Sequence, residues 1–209
     1  MDERSLIYDW NTVEYEINRN PANHPHGVWF DDETLRDGLQ SPSARNPSIE
    51  EKIELLTFME NLGIQKVDLG LPGAGPYHLE HIDAMMNHIT ENDFKIRPGA
   101  AVRTLMNDIE PLVELQAKHG TPIQASAFLG TSPIRQYTEG WTIEKLLSTM
   151  EKAVSFAVDN DVKVMFVTED TTRSKPEDIK IIYQRAMELG VRRLCICDTC
   201  GHVTPNGVK

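Results

Sequence analysis

The sequence predicts an α/β fold, a parallel (β/α)8 TIM barrel of which about the first six strand-helix units are present. Three observations predict it. Helix-period and strand-period segments alternate from residue 28 onward, their junctions repeat one pattern, and charged or polar residues follow several of the strands directly. With 209 residues, 40% hydrophobic and 25% charged, the chain can bury the core of one domain. That domain is assigned to 28–209. Residues 1–27 do not fit the repeat and are read as an N-terminal arm or small hairpin, packed beneath the barrel or on a partner.

Taken in order, Val28, Trp29 and Phe30 are β-formers and open a strand near 28–32, after which Gly38 permits a tight turn. Ser48-Ile49-Glu50-Glu51 is a capping box that starts a helix, and Gly63 can end it in the left-handed conformation. Strands follow near 66–71, 96–102, 122–129, 162–168 and 193–198. Gly120 and Gly190 are placed to end helices as Gly63 does, while Asn92-Asp93 and Asn160-Asp161 are variants serving the same purpose. Thr142 caps a helix whose Ile143, Leu146, Leu147, Met150 and Val154 share one face, and Ser174-Lys175-Pro176-Glu177 reads as a second capping box. The strands are mostly apolar runs such as Val162 to Val167, as parallel strands covered by helices are.

Repeated strand-helix units leave an open doubly wound sheet or a closed barrel. Polar groups after several non-adjacent strands favour the barrel, and no Gly-x-Gly-x-x-Gly turn marks a dinucleotide site. A barrel of this kind takes about 250 residues, so the chain is expected to hold the first three quarters of one. A net charge of −11 argues against nucleic acid as a partner. No apolar run approaches the ~20 residues that span a bilayer, and the first residues do not read as a secretory signal, so a cytoplasmic protein without a membrane partner is expected. Cys195, Cys197 and Cys200 are an odd number, which argues against a disulfide framework; Cys195 and Cys197 read as small residues of a buried strand.

The chemistry concentrates in Asp31-Asp32-Glu33-Thr34-Leu35-Arg36-Asp37-Gly38-Leu39-Gln40, where a guanidinium and a carboxylate stand side by side after the first strand. A carboxylate can hold a hard divalent cation, and a neighbouring Arg can polarise an oxygen bound to that cation. Further motifs follow other strands: Gly70-Leu71-Pro72-Gly73-Ala74-Gly75-Pro76, Glu169-Asp170-Thr171-Thr172-Arg173, and Asp198-Thr199-Cys200-Gly201-His202-Val203-Thr204-Pro205.

These four segments resemble the signatures of the DRE-TIM metallolyase superfamily, which includes 2-isopropylmalate synthase, homocitrate synthase, citramalate synthase and hydroxymethylglutaryl-CoA lyase. The resemblance implies a divalent metal (Mg²⁺, Mn²⁺ or Zn²⁺), acetyl-CoA as cosubstrate, a 2-oxo acid substrate, and a Claisen-type condensation by an acyltransferase of amino-acid biosynthesis. It implies Asp37 as a metal ligand, Arg36 and Glu169 as catalytic groups, and Gln40, Thr199 and Asp68 as substrate-binding groups. A homodimer is the family's expectation. This sequence departs from the synthase pattern at Leu39, Asp68, Ser126 and Met165. Leu39 favours a lyase that cleaves a carbon-carbon bond, and a non-catalytic paralogue of the same barrel is the third alternative. Met165 favours an apolar or short oxo acid over a dicarboxylic one. None of the seven histidines forms the family's His-x-His metal motif, so this chain alone is expected to bind metal poorly and to be inactive.

Overall fold

The computed structural model describes residues 6–10 and 28–208. Six strands, β1 (Asp31–Asp32), β2 (Lys66–Asp68), β3 (Arg97–Arg103), β4 (Gln124–Gly130), β5 (Lys163–Glu169) and β6 (Arg193–Ile196), lie side by side in chain order. Every pair is parallel. Helices alternate with them: α1 (Ile49–Leu62), α2 (Pro76–Glu91), α3 (Met106–His119), α4 (Pro133–Glu139), α5 (Ile143–Asp159), α6 (Pro176–Glu188) and the short α7 (Pro205–Val208). Together they form a half-barrel, the partial TIM barrel that the alternation predicted.

The core lies between strands and helices. On β5, Val164, Phe166 and Thr168 are buried on the helix side, whereas Met165, Val167 and Glu169 alternate onto the inner face. Phe166 has no solvent exposure and is the largest of the fully buried side chains. Register carries the alternation across the sheet: Phe166 stands opposite Leu194 and Val167 opposite Cys195. The amino ends of the strands are cationic on the inner face. Lys66, Arg97, Lys163 and Arg193 begin β2, β3, β5 and β6 and line a cavity of about 790 Å³. Lys66 pairs with Asp31, and the Trp29 ring lies 4.4 Å from the Arg97 guanidinium and 5.5 Å from that of Arg193.

Ser48 and Glu51 form the expected capping box, and the Thr142 hydroxyl accepts the Lys145 N–H at the start of α5. Gly63 and Gly120 adopt left-handed conformations at helix ends. In the two Asn-Asp junctions the left-handed residue is the aspartate, Asp93 at φ 52° and Asp161 at φ 59°. The second expected capping box does not form. Lys175 occupies the N-cap of α6 without a side-chain bond, because the Ser174 hydroxyl is buried and engaged by Thr131 Oγ1 (2.8 Å) and the Asp170 carbonyl (2.9 Å). The turn after β2 packs on Asp108, so that a Cβ at Gly73 would lie 2.4 Å from that carboxylate. Asp108 in turn holds Arg103 through Nε and Nη2, each at 2.8 Å.

Most of the expected arm, residues 1–5 and 11–27, lies outside the described residues. Residues 6–10 meet the opposite end of the sheet from the one expected beneath a barrel. Tyr8 N–H donates to the Arg173 carbonyl (3.1 Å) and Trp10 Nε1 to the Ser174 carbonyl (2.8 Å), both just past β5.

Candidate active site

A tight turn after β1 positions the first group of site residues. Asp32 Oδ1 accepts the Thr34 N–H at 2.8 Å, and the Glu33 carbonyl accepts from the N–H groups of Arg36 (3.2 Å) and Gly38 (3.0 Å). Leu35, 3% exposed, anchors the turn in the core. The fold of the turn sets Glu33 and Arg36 on one side: Arg36 Nε donates to Glu33 Oε2 at 2.8 Å and Nη1 to Asp37 Oδ1 at 3.1 Å. Its Nε also stands 3.7 Å from Asp68 Oδ2 at the end of β2. Burial opposes the charge on Arg36, but the carboxylates of Glu33, Asp68 and Asp37 outweigh it and raise its pKa. A guanidinium braced on three sides keeps a fixed direction, which is what stabilising a growing oxyanion requires.

Asp68 has no solvent exposure. Its Oδ1 accepts the backbone N–H of Gly70 (3.0 Å) and of Ala101 (3.3 Å), and its Oδ2 has no hydrogen-bond partner. Burial and then the Glu33 charge push its carboxyl up to about 7, against the Gly70 N–H, Arg36 and Lys66. Asp68, expected from sequence as a substrate-binding group, is buried 3.7 Å from Arg36 Nε. Its titration has a sign. In the unfolded chain an aspartate loses its proton near pH ~4. Between there and about 7 the folded state holds a proton that the unfolded state has lost, so this contribution to stability is full at low pH and lost as pH rises through about 7. Asp68→Asn should remove that slope. Urea midpoints measured at roughly pH 5 and pH 8 should drop less in the variant than in the unaltered protein, and an identical drop would refute the assignment.

The second group gathers at the carboxyl ends of β5 and β6. Glu169 ends β5, and its carbonyl accepts the Thr131 N–H (3.3 Å). Asp170 takes a left-handed φ of 60° and is held at both carboxylate oxygens by Arg173, each bond 2.7 Å. The Thr199 hydroxyl accepts the Asp170 N–H at 2.8 Å, which leaves its own proton available to donate. Glu169, Asp170, Arg173 and Thr199 share a cleft of about 230 Å³ with Arg135.

The sequence reading expects these residues on one rim; the structure places Arg36, Asp37 and Asp68 together, and Glu169 and Thr199 together. No hydrogen bond or ion pair joins the two groups among the described residues. Gln40 is exposed at the edge of the turn, and its backbone N–H donates to the Asp37 carbonyl (3.0 Å). The sequence motifs assign no role to Glu33, Arg173 or Arg135, although Glu33 and Arg173 stand within them. Glu33 is marked by its i,i+3 spacing from Arg36, and Arg173 by the same spacing from Asp170. Arg135 carries no local signal, because it reaches the cleft only by packing over Gly130. As for a metal, Asp37 Oδ1 is taken by Arg36 while its carboxylate remains largely exposed, so it fits as one oxygen ligand. Among the described residues no group of three or more His, Cys, Asp or Glu is arranged to hold an ion.

Comparison with known proteins shows the family and the fold. The family model described as HMGL-like matches residues 28–209. The chain belongs to the HMGL-like family. Among its relatives are 2-isopropylmalate synthase from Lactococcus lactis subsp. cremoris, 32% identical over 85% of this chain, and 2-isopropylmalate synthase from Sediminispirochaeta smaragdinae, 27% identical over 87%. Homocitrate synthase AksA from Methanocaldococcus jannaschii is 27% identical over 91%. This HMGL-like chain spans 34% and 35% of the two isopropylmalate synthases and 45% of the homocitrate synthase. Its fold is similar to that of HMG-CoA lyase from Brucella melitensis, with a TM-score of 0.67 at 17% identity, over 87% of this chain and 64% of that one. No helix among the described residues is long and apolar enough to cross a membrane.

Proposed function

We propose that these residues form the carbonyl-activating wall of an enzyme that condenses acetyl-CoA with a 2-oxo acid. The observation that carries this reading is Arg36, braced by Glu33, Asp68 and Asp37 at the end of β1. Arg36 stabilises negative charge growing on the oxo oxygen or on the acetyl enolate. Asp37 supplies one oxygen ligand to a divalent cation, and that cation, when bound, withdraws electrons from the oxo acid's carbonyl and orients its carboxylate. Asp68 acts as a positioning residue for Arg36. Glu169, whose side chain makes no ion pair among the described residues, takes or steers the proton leaving the acetyl methyl, and the Thr199 proton donates to the oxo acid's carboxylate. Met165 on the inner face supports an apolar or short oxo acid, since an unpaired distal carboxylate beside it would be costly.

A second reading, carbon-carbon bond cleavage of the HMG-CoA lyase type with the same Arg36 and Asp37, is favoured by the fold similarity and by Leu39. One assay separates them. A protein carrying this chain is mixed with acetyl-CoA, Mg²⁺ or Mn²⁺ and a panel of 2-oxo acids, and free thiol is followed. Metal-dependent thiol release that disappears in Asp37→Ala is expected. Absence of thiol release with every oxo acid of the panel, alongside cleavage of a 3-hydroxyacyl-CoA, would transfer the assignment to the lyase.

A further inference from the structure

We propose that Arg135 is a second catalytic cation, holding the oxygen of the acetyl enolate and leaving Arg36 to the oxo oxygen. This rests on the reading that an acetyl thioester gives up a proton at Glu169. The charge so created lands on the thioester oxygen, two bonds from the deprotonated carbon, so a positive group is needed on the same side as the base. Arg36 is turned to Glu33, Asp37 and Asp68, and no hydrogen bond or ion pair links it to Glu169 among the described residues. The cleft that contains Glu169 has two cations of its own, Arg135 and Arg173. Arg173 is engaged by both oxygens of Asp170 at 2.7 Å. Arg135 remains. It pairs with Glu139 at 3.4 Å, but both side chains are more than a third exposed, and so weak a pair yields to a ligand.

Strand pairing sets Arg135 beside the base. Gly130, the last residue of β4, is the register partner of Glu169, and paired residues of a parallel sheet point to the same face. Where Gly130 would carry a side chain, Arg135 lies instead: a Cβ there would stand 2.6 Å from its Cγ and 3.1 Å from its Nε. The guanidinium is also 5.9 Å from the ring centre of Trp141, which packs on the core. Ser132, with no solvent exposure, lines the same cleft, and its hydroxyl has no hydrogen-bond partner among the described residues. A ligand oxygen seated there would satisfy it.

In the step that results, the Glu169 carboxylate takes a methyl proton, the C–H electron pair becomes the enolate double bond, and the carbonyl pair moves to the thioester oxygen beside Arg135. The enolate carbon then attacks the oxo carbon. The thioester carbonyl re-forms, the oxo oxygen becomes an alkoxide facing Arg36 and is protonated from solvent, and Glu169 returns its proton to solvent. Cleavage of a 3-hydroxyacyl-CoA passes through the same enolate in reverse, so Arg135 has this task in a synthase and in a lyase.

A dethia-CoA analogue that ends in a carboxylate, where acetyl-CoA has its carbonyl and methyl, mimics the enolate. Titration calorimetry compares it with acetyl-CoA on a protein carrying this chain. The unaltered protein should bind the analogue more tightly than acetyl-CoA. Arg135→Gln should weaken the analogue by about 10²-fold. Acetyl-CoA should bind that variant nearly as before, which shows that it is folded, and Arg135→Lys should recover part of the loss. If Arg135→Gln does not fold, a selective loss is still required of Arg135→Lys. Undiminished analogue binding, equal weakening of both ligands, or a selective loss found in Arg36→Met instead would overturn the proposal while leaving the acetyl-CoA reading in place. An unaltered protein that binds neither ligand would overturn both.

Discussion

Arg36→Met should lower turnover by about 10² to 10³-fold while leaving the sheet standing. Activity falls because the side chain is the one cation braced at the β1 rim, and a methionine of similar length supplies no N–H to a developing oxyanion. The fold survives for a reason found behind it. Asp68, left without its guanidinium 3.7 Å away, already titrates near 7, so it takes up a proton at neutral pH and avoids standing as a bare buried charge. Arg36→Lys should recover only part of the rate, since a point ammonium cannot face Glu33, Asp37 and Asp68 at once. Steady-state kinetics beside thermal melts read both halves. A variant that melts far below the parent, or one that turns over normally, would remove Arg36 from the proposed role.

Phe166→Ala should cost about 3 to 5 kcal/mol, a large share of the ~5–15 kcal/mol that holds a domain together. Phe166 has no solvent exposure and sits in the middle of β5, between the β4 and β6 pairings and in the cluster that includes Met150, Val154 and Ile182. Neighbours on a strand hydrogen-bonded from both sides cannot collapse far into the void, so both lost transfer energy and an open cavity contribute. Phe166→Leu keeps most of the volume and should cost less, about 1.5 kcal/mol. Urea denaturation at constant m-value measures the difference. A Phe166→Ala loss below ~1 kcal/mol would mean that this end of the core is loosely packed.

The fold was legible wherever local pattern and burial agree. All six strands were found because parallel strands flanked by helices are apolar runs, and β5 shows this with Val164, Phe166 and Thr168 buried. The Ser48 box was legible because its reciprocal partner, Glu51, is only three residues away. The Ser174 box failed because Thr131, distant in sequence, takes that hydroxyl into a buried network. Helix α4 was not seen: the seven residues from Pro133 to Glu139 are too short to show a period. In the site, Arg36 and Asp37 could be read from their adjacency, and the pairing of Glu169 with Thr199 in one cleft from their positions after neighbouring strands. The surroundings of Asp68 were not legible, since sequence shows a carboxylate at a strand end but not that Gly70, Ala101 and Arg36 enclose it.

The inner wall is electrically polar from one mouth to the other. Lys66, Arg97, Lys163 and Arg193 stand at the amino ends of their strands, while Glu33, Asp37 and Glu169 stand at or beyond the carboxyl ends of theirs. Arg36 and Arg173 stand among those carboxylates, so the carboxyl mouth presents both signs, a carboxylate at Asp37 for a cation and a guanidinium beside it for an anion. This arrangement is written in pairing register. Sliding one strand by a single residue would drive its charge into the greasy layer under the helices, so correct alignment of the sheet and a correctly signed mouth are the same requirement.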